Sequence, residues 1–170
     1  KIQGSIIDTL MPPLTAHELT FSIAFGGATR GLLVGILCML AMMPFVSIQI
    51  YNPWFVIYHA VAASIMLSLI GTISGIWAEK IDHVAFVTNF LVTPLSFLSG
   101  TFYSIERLPE SIQLVSFVNP FFYMIDGFRY GFIGHADGSL TIGIFVTLGV
   151  DIALWMWCHW MFKSGYNLKS

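Results

Sequence analysis

Long apolar runs separated by short polar breaks make up most of the chain, and their lengths predict helices that cross a membrane. The first run falls within 16–50, with an apolar core at Gly31 to Ile50 and Arg30 at its entry. About twenty apolar residues at ~1.5 Å each match the hydrocarbon thickness of a bilayer. Thr15 and Glu18 have the spacing of a capping box, which places the helix start at Thr15. The second run, 53–78, opens on Asn52-Pro53, a cap followed by a first-turn proline. Trp54 and Trp77 stand at its two ends, where interfacial aromatics belong. A third run, 82–104, follows the polar turn Glu79 to His83. The fourth, 139–162, has Ser139 as its expected cap and Trp155, Trp157 and Trp160 crowded at its end. This pattern predicts an all-α integral membrane protein with four transmembrane helices.

The third run is unlike the others. Pro94 lacks a backbone N–H and frees the carbonyl four residues earlier. In lipid that carbonyl needs another partner, such as Thr93, Ser96 or a neighbouring helix. Ser96, Ser99 and Gly100 make the far half of the run small and polar, while Phe97, Phe102 and Tyr103 add aromatic surface. The helix is expected to leave the bilayer near Tyr103. Two short amphipathic pieces then occupy 108–131, one starting at Leu108-Pro109, the other at Asn119-Pro120. A plain membrane anchor needs neither, and the arrangement points to a transport protein that shapes an outer gate. Ahead of the first run, Ser5 to Met11 reads as a short amphipathic helix stopped by Pro12-Pro13; the same residues also suit a capped linker.

Composition narrows the class. Only 9% of the residues are charged and 56% are hydrophobic, against about 25% charged in soluble domains. The surface therefore meets lipid rather than water, and a net charge of −2 gives no reason to expect nucleic acid. With four spans both ends lie on one side. Lys1, Arg30, Lys80, Lys163 and Lys169 then share that side, and Arg107 and Arg129 take the other. Cytoplasmic loops carry the lysine and arginine excess, so both ends are expected in the cytoplasm and 108–131 outside. The chain begins at Lys1 without a visible signal peptide and reads as the C-terminal part of a longer protein. Gly27, Gly31 and Gly35 recur every fourth residue, and Gly71 with Gly75 form a second pair; both sets are expected at close helix contacts.

Candidate chemistry is sparse. No phosphate-binding loop, nucleophile elbow or zinc-protease motif occurs, so no catalytic residue and no metal site is assigned. Cys38 and Cys158 lie in separate apolar runs and read as small core residues. His59 reads as a hydrogen-bonded packing residue or, less simply, a ligand. Asp151 is the one carboxylate deep in a run, where an unpaired charge costs at least about 2.5 kcal/mol. It is either a structural hydrogen bond to another helix or a polar element of a pathway. Asp126 and Arg129 stand three residues apart and can pair; Arg129 also has the reach for a lipid phosphate.

The run Thr93 to Ser104, followed by Leu108-Pro109 and Asn119 to Gly131, resembles in order and spacing the signature of the type-2 ABC exporter permeases. The resemblance is closest to their bacterial drug and polysaccharide exporter branch. Gly4 to Leu14 resembles the cytoplasmic loop helix between the second and third spans of that family. The resemblance implies a six-span permease of which these four spans are the last. It implies a permease homodimer or heterodimer in the bacterial inner membrane, with an ATP-binding subunit docked on the cytoplasmic side. ATP and magnesium would lie in that subunit, so no cofactor and no enzymatic activity is expected of this chain. Residues 4–14 would be a coupling helix acting through Ile7, Asp8, Leu10 and Leu14. Pro94, Phe97, Ser99, Gly100, Phe102 and Tyr103 would flank the translocation pathway, and Pro109, Asn119, Pro120, Asp126 and Arg129 would belong to outer re-entrant helices. The cargo would be amphipathic, of drug, lipid or polysaccharide type. The alternative is an ion-coupled secondary transporter, which also uses broken helices and would place its ion site at Asp151.

Overall fold

The computed structural model describes residues 14–78, 80–101 and 110–167. It is all-helical, with no strand among the described residues. In chain order the elements are α1 (Ala16–Met42), α2 (Pro53–Trp77), α3 (Ile81–Phe86), a π-helical turn (Val87–Val92), α4 (Thr93–Phe97), α5 (Glu110–Val118), α6 (Pro120–Ile133) and α7 (Leu140–Ser164). Among them α1, α2 and α7 are long and apolar enough to cross a membrane.

α1 starts where the capping box places it. Thr15 Oγ1 accepts the Glu18 N–H at 3.3 Å, and Glu18 Oε2 accepts the Thr15 N–H at 2.8 Å. The helix ends at Met42, short of the expected Ile50. Pro44 has no N–H to offer the Leu40 carbonyl, so the chain turns at Met43 to Phe45. α2 is capped by Asn52, whose Oδ1 accepts the Trp54 N–H at 3.1 Å, with Pro53 in the first turn. At the far end Asn167 Nδ2 donates to the Ile76 and Trp77 carbonyls at 3.2 and 3.1 Å, closing the last turn of α2 from the C-terminal side. Ser139 precedes α7 but makes no side-chain capping bond, contrary to expectation.

The described part of the expected third span, 81–97, stays helical throughout but changes its hydrogen-bond pattern twice, through α3, the π-helical turn and α4. Pro94 is the cause. Its missing N–H interrupts the ladder, and the preceding turn widens so that the Thr93 N–H bonds to the Thr88 carbonyl, five residues back. Thr93 Oγ1 joins the same carbonyl at 2.9 Å, and Ser96 Oγ takes the Val92 carbonyl at 2.8 Å. Thr93 and Ser96 thus serve the Thr88 and Val92 carbonyls, and not that of Phe90, four residues before Pro94, which the sequence argument singled out.

α2 is the hub, packing against α1, α6 and α7. Two buried clusters hold it there. Leu69 meets Ala24 of α1 and Cys158 of α7; Met66 meets Phe121 and Met124 of α6. Small residues set the α1–α2 distance, because a Cβ on Gly27 would overlap Ser68 and one on Gly31 would come within 2.9 Å of Ser64 Oγ. The stripe stops there. Gly35, Gly71 and Gly75 have nothing within 4 Å of where a Cβ would stand, so the expected third contact and second pair are not formed among the described residues. Of the two cysteines only Cys158 is buried; Cys38 is exposed on α1.

Candidate functional site at the broken helix and the outer pair

The end of α4 and the start of α6 meet in a buried polar knot. The last carbonyls of a helix lack partners within it, and here they find several. Leu98 N–H bonds to the Pro94 carbonyl at 3.0 Å, while the Ser99 and Thr101 hydroxyls both donate to the Ser96 carbonyl. Gly100, at φ 75°, supplies the left-handed turn that ends the helix. Two more carbonyls are met from across the fold. Asn119 Nδ2 donates to the Leu95 carbonyl at 2.6 Å, and Ser116 Oγ donates to the Leu98 carbonyl at 2.9 Å. Asn119 also caps α6, its Oδ1 accepting the Phe121 N–H at 3.0 Å. Ser99, Ser116 and Asn119 are all buried.

α6 is held at its middle by a second polar group, which also ties down the turn that follows the helix. Asp126 Oδ1 accepts from Arg129 Nη2 at 2.6 Å and from the Asp137 N–H at 2.8 Å, and Oδ2 accepts the Gly138 N–H at 3.0 Å. Arg129 Nη2 lies 2.8 Å from Asp137 Oδ2, and the more exposed His135 Nε2 lies 3.3 Å from Asp137 Oδ1. Partial burial opposes the charge on Arg129, but Asp137 and Asp126 outweigh it and raise the guanidinium above its ordinary range. The arginine thus pairs with two carboxylates.

A row of glycines seats α6 on the first turns of α2. A Cβ on Gly127 would overlap the His59 ring, one on Gly131 would collide with Val56, and Gly134 lies on Tyr51. The Asn52 N–H adds a bond to the Gly131 carbonyl at 2.8 Å. His59 is a buried packing residue. Its Nδ1 bonds to the Phe55 carbonyl at 3.0 Å, and its ring stacks on Phe55. α7 is tied to α2 by Tyr58, whose hydroxyl donates to the Ile144 carbonyl at 3.0 Å.

Of the pathway candidates, Pro94 and Phe97 are exposed, whereas Ser99 and Gly100 are buried in the knot. Phe102, Tyr103 and Pro109 lie outside the described residues, as do Ile7, Asp8 and Leu10; Leu14 is exposed just ahead of α1. Asp151 is half-buried on α7, and its Oδ1 makes no hydrogen bond among the described residues. Ser116, Tyr58 and Asp137 are structural partners that sequence reasoning passed over. Ser116 stands three residues before Asn119, but on the preceding helix, so no local spacing signalled its role. No group of three or more metal-ligating side chains occurs among the described residues. A cavity of about 650 Å³ lies between α2, the broken helix and α7, with Ile70, Leu91, Phe121, Leu154 and Trp157 in its walls.

The sequence pattern of ABC-2 type transporters matches residues 2–133, which include the broken helix, the knot and α6. The chain belongs to the ABC-2 type transporter family. Similarity to individual proteins runs further, through α7. The chain is 36% identical, over its full length, to the inner membrane transport permease YadH of Escherichia coli K12, and covers 66% of that protein. The YadH of Shigella flexneri gives the same figures. Nodulation protein J of Rhizobium leguminosarum bv. viciae is 26% identical over 100 residues, 55% of this chain and 39% of its own length. The chain thus spans about two thirds of the length of the YadH relatives. No solved structure matches.

Proposed function

We propose that this chain is the larger part of the membrane-spanning permease of an ATP-driven exporter in the bacterial inner membrane. The observation that carries the reading is family membership joined to 36% identity with YadH along the whole chain. In this reading α1, α2, the broken helix extended through 104, and α7 are the last four of six spans. Both ends lie in the cytoplasm, and α5 and α6 are the outer re-entrant pair. Residues 4–14 are the coupling helix, with Ile7, Asp8, Leu10 and Leu14 seated on an ATP-binding subunit that holds ATP and magnesium. Two permeases pair, and an amphipathic cargo of drug, lipid or polysaccharide type leaves past Pro94, Phe97, Phe102 and Tyr103. The chain itself catalyses no reaction.

The physical support lies in how the broken helix is built. Non-helical backbone is tolerated at membrane depth only where protein or a wet cavity satisfies it. Here side chains of α5 and α6 serve the terminal carbonyls, so the break is a maintained feature of the fold. The test is purification of the full-length permease from its own cells in mild detergent. A stoichiometric ATP-binding subunit, with ATP hydrolysis that falls on changing Asp8 or Leu10, is the expected result. A clean preparation with no such subunit would overturn the reading and move attention to Asp151 as the ion site of a secondary transporter.

A further inference from the structure

We propose that the Asn119 side-chain amide is the latch that holds the outer gate shut. The proposal rests on the permease reading for the direction of the gate, but the latch stands on geometry alone. One amide fixes two helix termini at once. Its nitrogen donates to the Leu95 carbonyl at the end of α4, and its oxygen accepts the Phe121 N–H at the start of α6. Asn119 is 3% exposed, and the Ser116 hydroxyl beside it makes the parallel bond to Leu98. Any movement that draws the start of α6 away from α4 must break the Asn119 cross-link, and one that carries α5 with it must break the Ser116 cross-link as well.

That requirement gives the latch two states. Closed, the knot is dry and its carbonyls depend on Asn119 and Ser116. Opened, water reaches the same carbonyls and replaces the lost donors, so the open state is not stranded with buried unpaired groups. The latch therefore biases a two-state element without blocking it.

The test uses the full-length permease in inside- and outside-accessible vesicles, with Cys38→Ser to remove the exposed thiol and Ser99→Cys as reporter. Ser99 is 1% exposed, so its replacement should react slowly with a membrane-impermeant maleimide. Asn119→Asp keeps the oxygen that caps α6 but puts a carboxylate where the donor to Leu95 stood. It should raise labelling from the outer side about tenfold, the shift expected for one lost buried hydrogen bond. Ser116→Ala should raise it in the same direction. Acid should reverse the Asp effect, relative to the parent at the same pH, because a protonated carboxyl regains a donor; a lesion that does not act through the lost donor would not respond this way. If Asn119→Asp does not fold, as judged by gel filtration, Ser116→Ala alone decides. Parental labelling in every folded variant overturns the latch, as does an Asp effect that acid leaves unchanged. The labelling needs neither ATP nor cargo. Absence of an ATP-binding subunit would sink the exporter reading and leave the latch standing; labelling from the inner side only would overturn the outward placement of the knot.

Discussion

The His59 imidazole lies against the backbone of Gly127 so closely that no side chain fits at that position. Gly127→Ala must push α6 off α2 or rotate a buried ring held by Phe55. Overpacking of this kind costs about 1–3 kcal/mol. The expected outcome is a lower thermal midpoint in detergent, recovered in part by the double change Gly127→Ala with His59→Ala. An unchanged midpoint in the single variant would show that α6 is not seated there.

The Asp126 clasp should be as sensitive to geometry as to charge. Asp126→Asn retains size but offers an amide N–H in place of an oxygen to the Arg129, Asp137 and Gly138 donors. The loss is about 2–3 kcal/mol, reduced by the part of Arg129 that reaches water. Limited proteolysis within 134–139 should rise with it. A variant with parental proteolysis would mean the turn is held by other bonds.

The same clasp gives a pH prediction with a definite sign. Its two carboxylates raise Arg129, so its contribution is complete below the ordinary guanidinium range and is lost only as pH climbs through the raised value. Raising the pH to about 10.5 therefore does not weaken the parent at this site. Arg129→Lys substitutes an ammonium with an ordinary value of about 10.4 and should lose stability, relative to parent, between about pH 9 and 11. Parallel melting curves for the two proteins over that interval would contradict the assignment.

Along α1 the glycines separate into used and unused positions. Gly27→Leu and Gly31→Leu should disrupt the contact with Ser68 and Ser64 and lower the yield of folded protein, whereas Gly35→Leu should be tolerated. Equal effects at Gly31 and Gly35, compared by folded yield and thermal midpoint, would refute the contact.

These positions also show what the chain's pattern made legible. Periodicity found the glycine stripe, because spacing alone puts such residues on one helical side, but it could not say how far the partner helix runs alongside. The same holds for the spans. Hydropathy located α2 and α7 closely, while the end of α1 at Met42 turned on Pro44, which an apolar count passes over. In the broken helix Pro94 announced the change of helical pattern, but the Thr93 and Ser96 hydroxyls go to the Thr88 and Val92 carbonyls rather than to that of Phe90. The longer-range donors were hidden. Asn119 looked like a simple cap, since nothing local indicates that its other amide atom reaches Leu95, 24 residues away. Asp126 with Arg129 was readable at helical spacing, but the hold on Asp137 and Gly138 depends on how the following turn folds back.

Asp151 provides the sharpest separation of structure from function. A carboxylate oxygen buried on α7 without a hydrogen bond among the described residues gives the fold no evident gain. Removing such a group from an apolar helix should help insertion by about 2.5 kcal/mol or more where it is charged. Asp151→Leu is therefore expected to keep or raise the thermal midpoint, and Asp151→Asn to leave it near the parent. A clear drop in either would reveal a structural bond and end the pathway reading of this residue. With the fold intact, transport becomes the informative measurement. Loss of cargo movement at undiminished stability, in both variants, is the expected result if Asp151 faces the pathway, because the carboxylate then acts on what passes rather than on the helices around it.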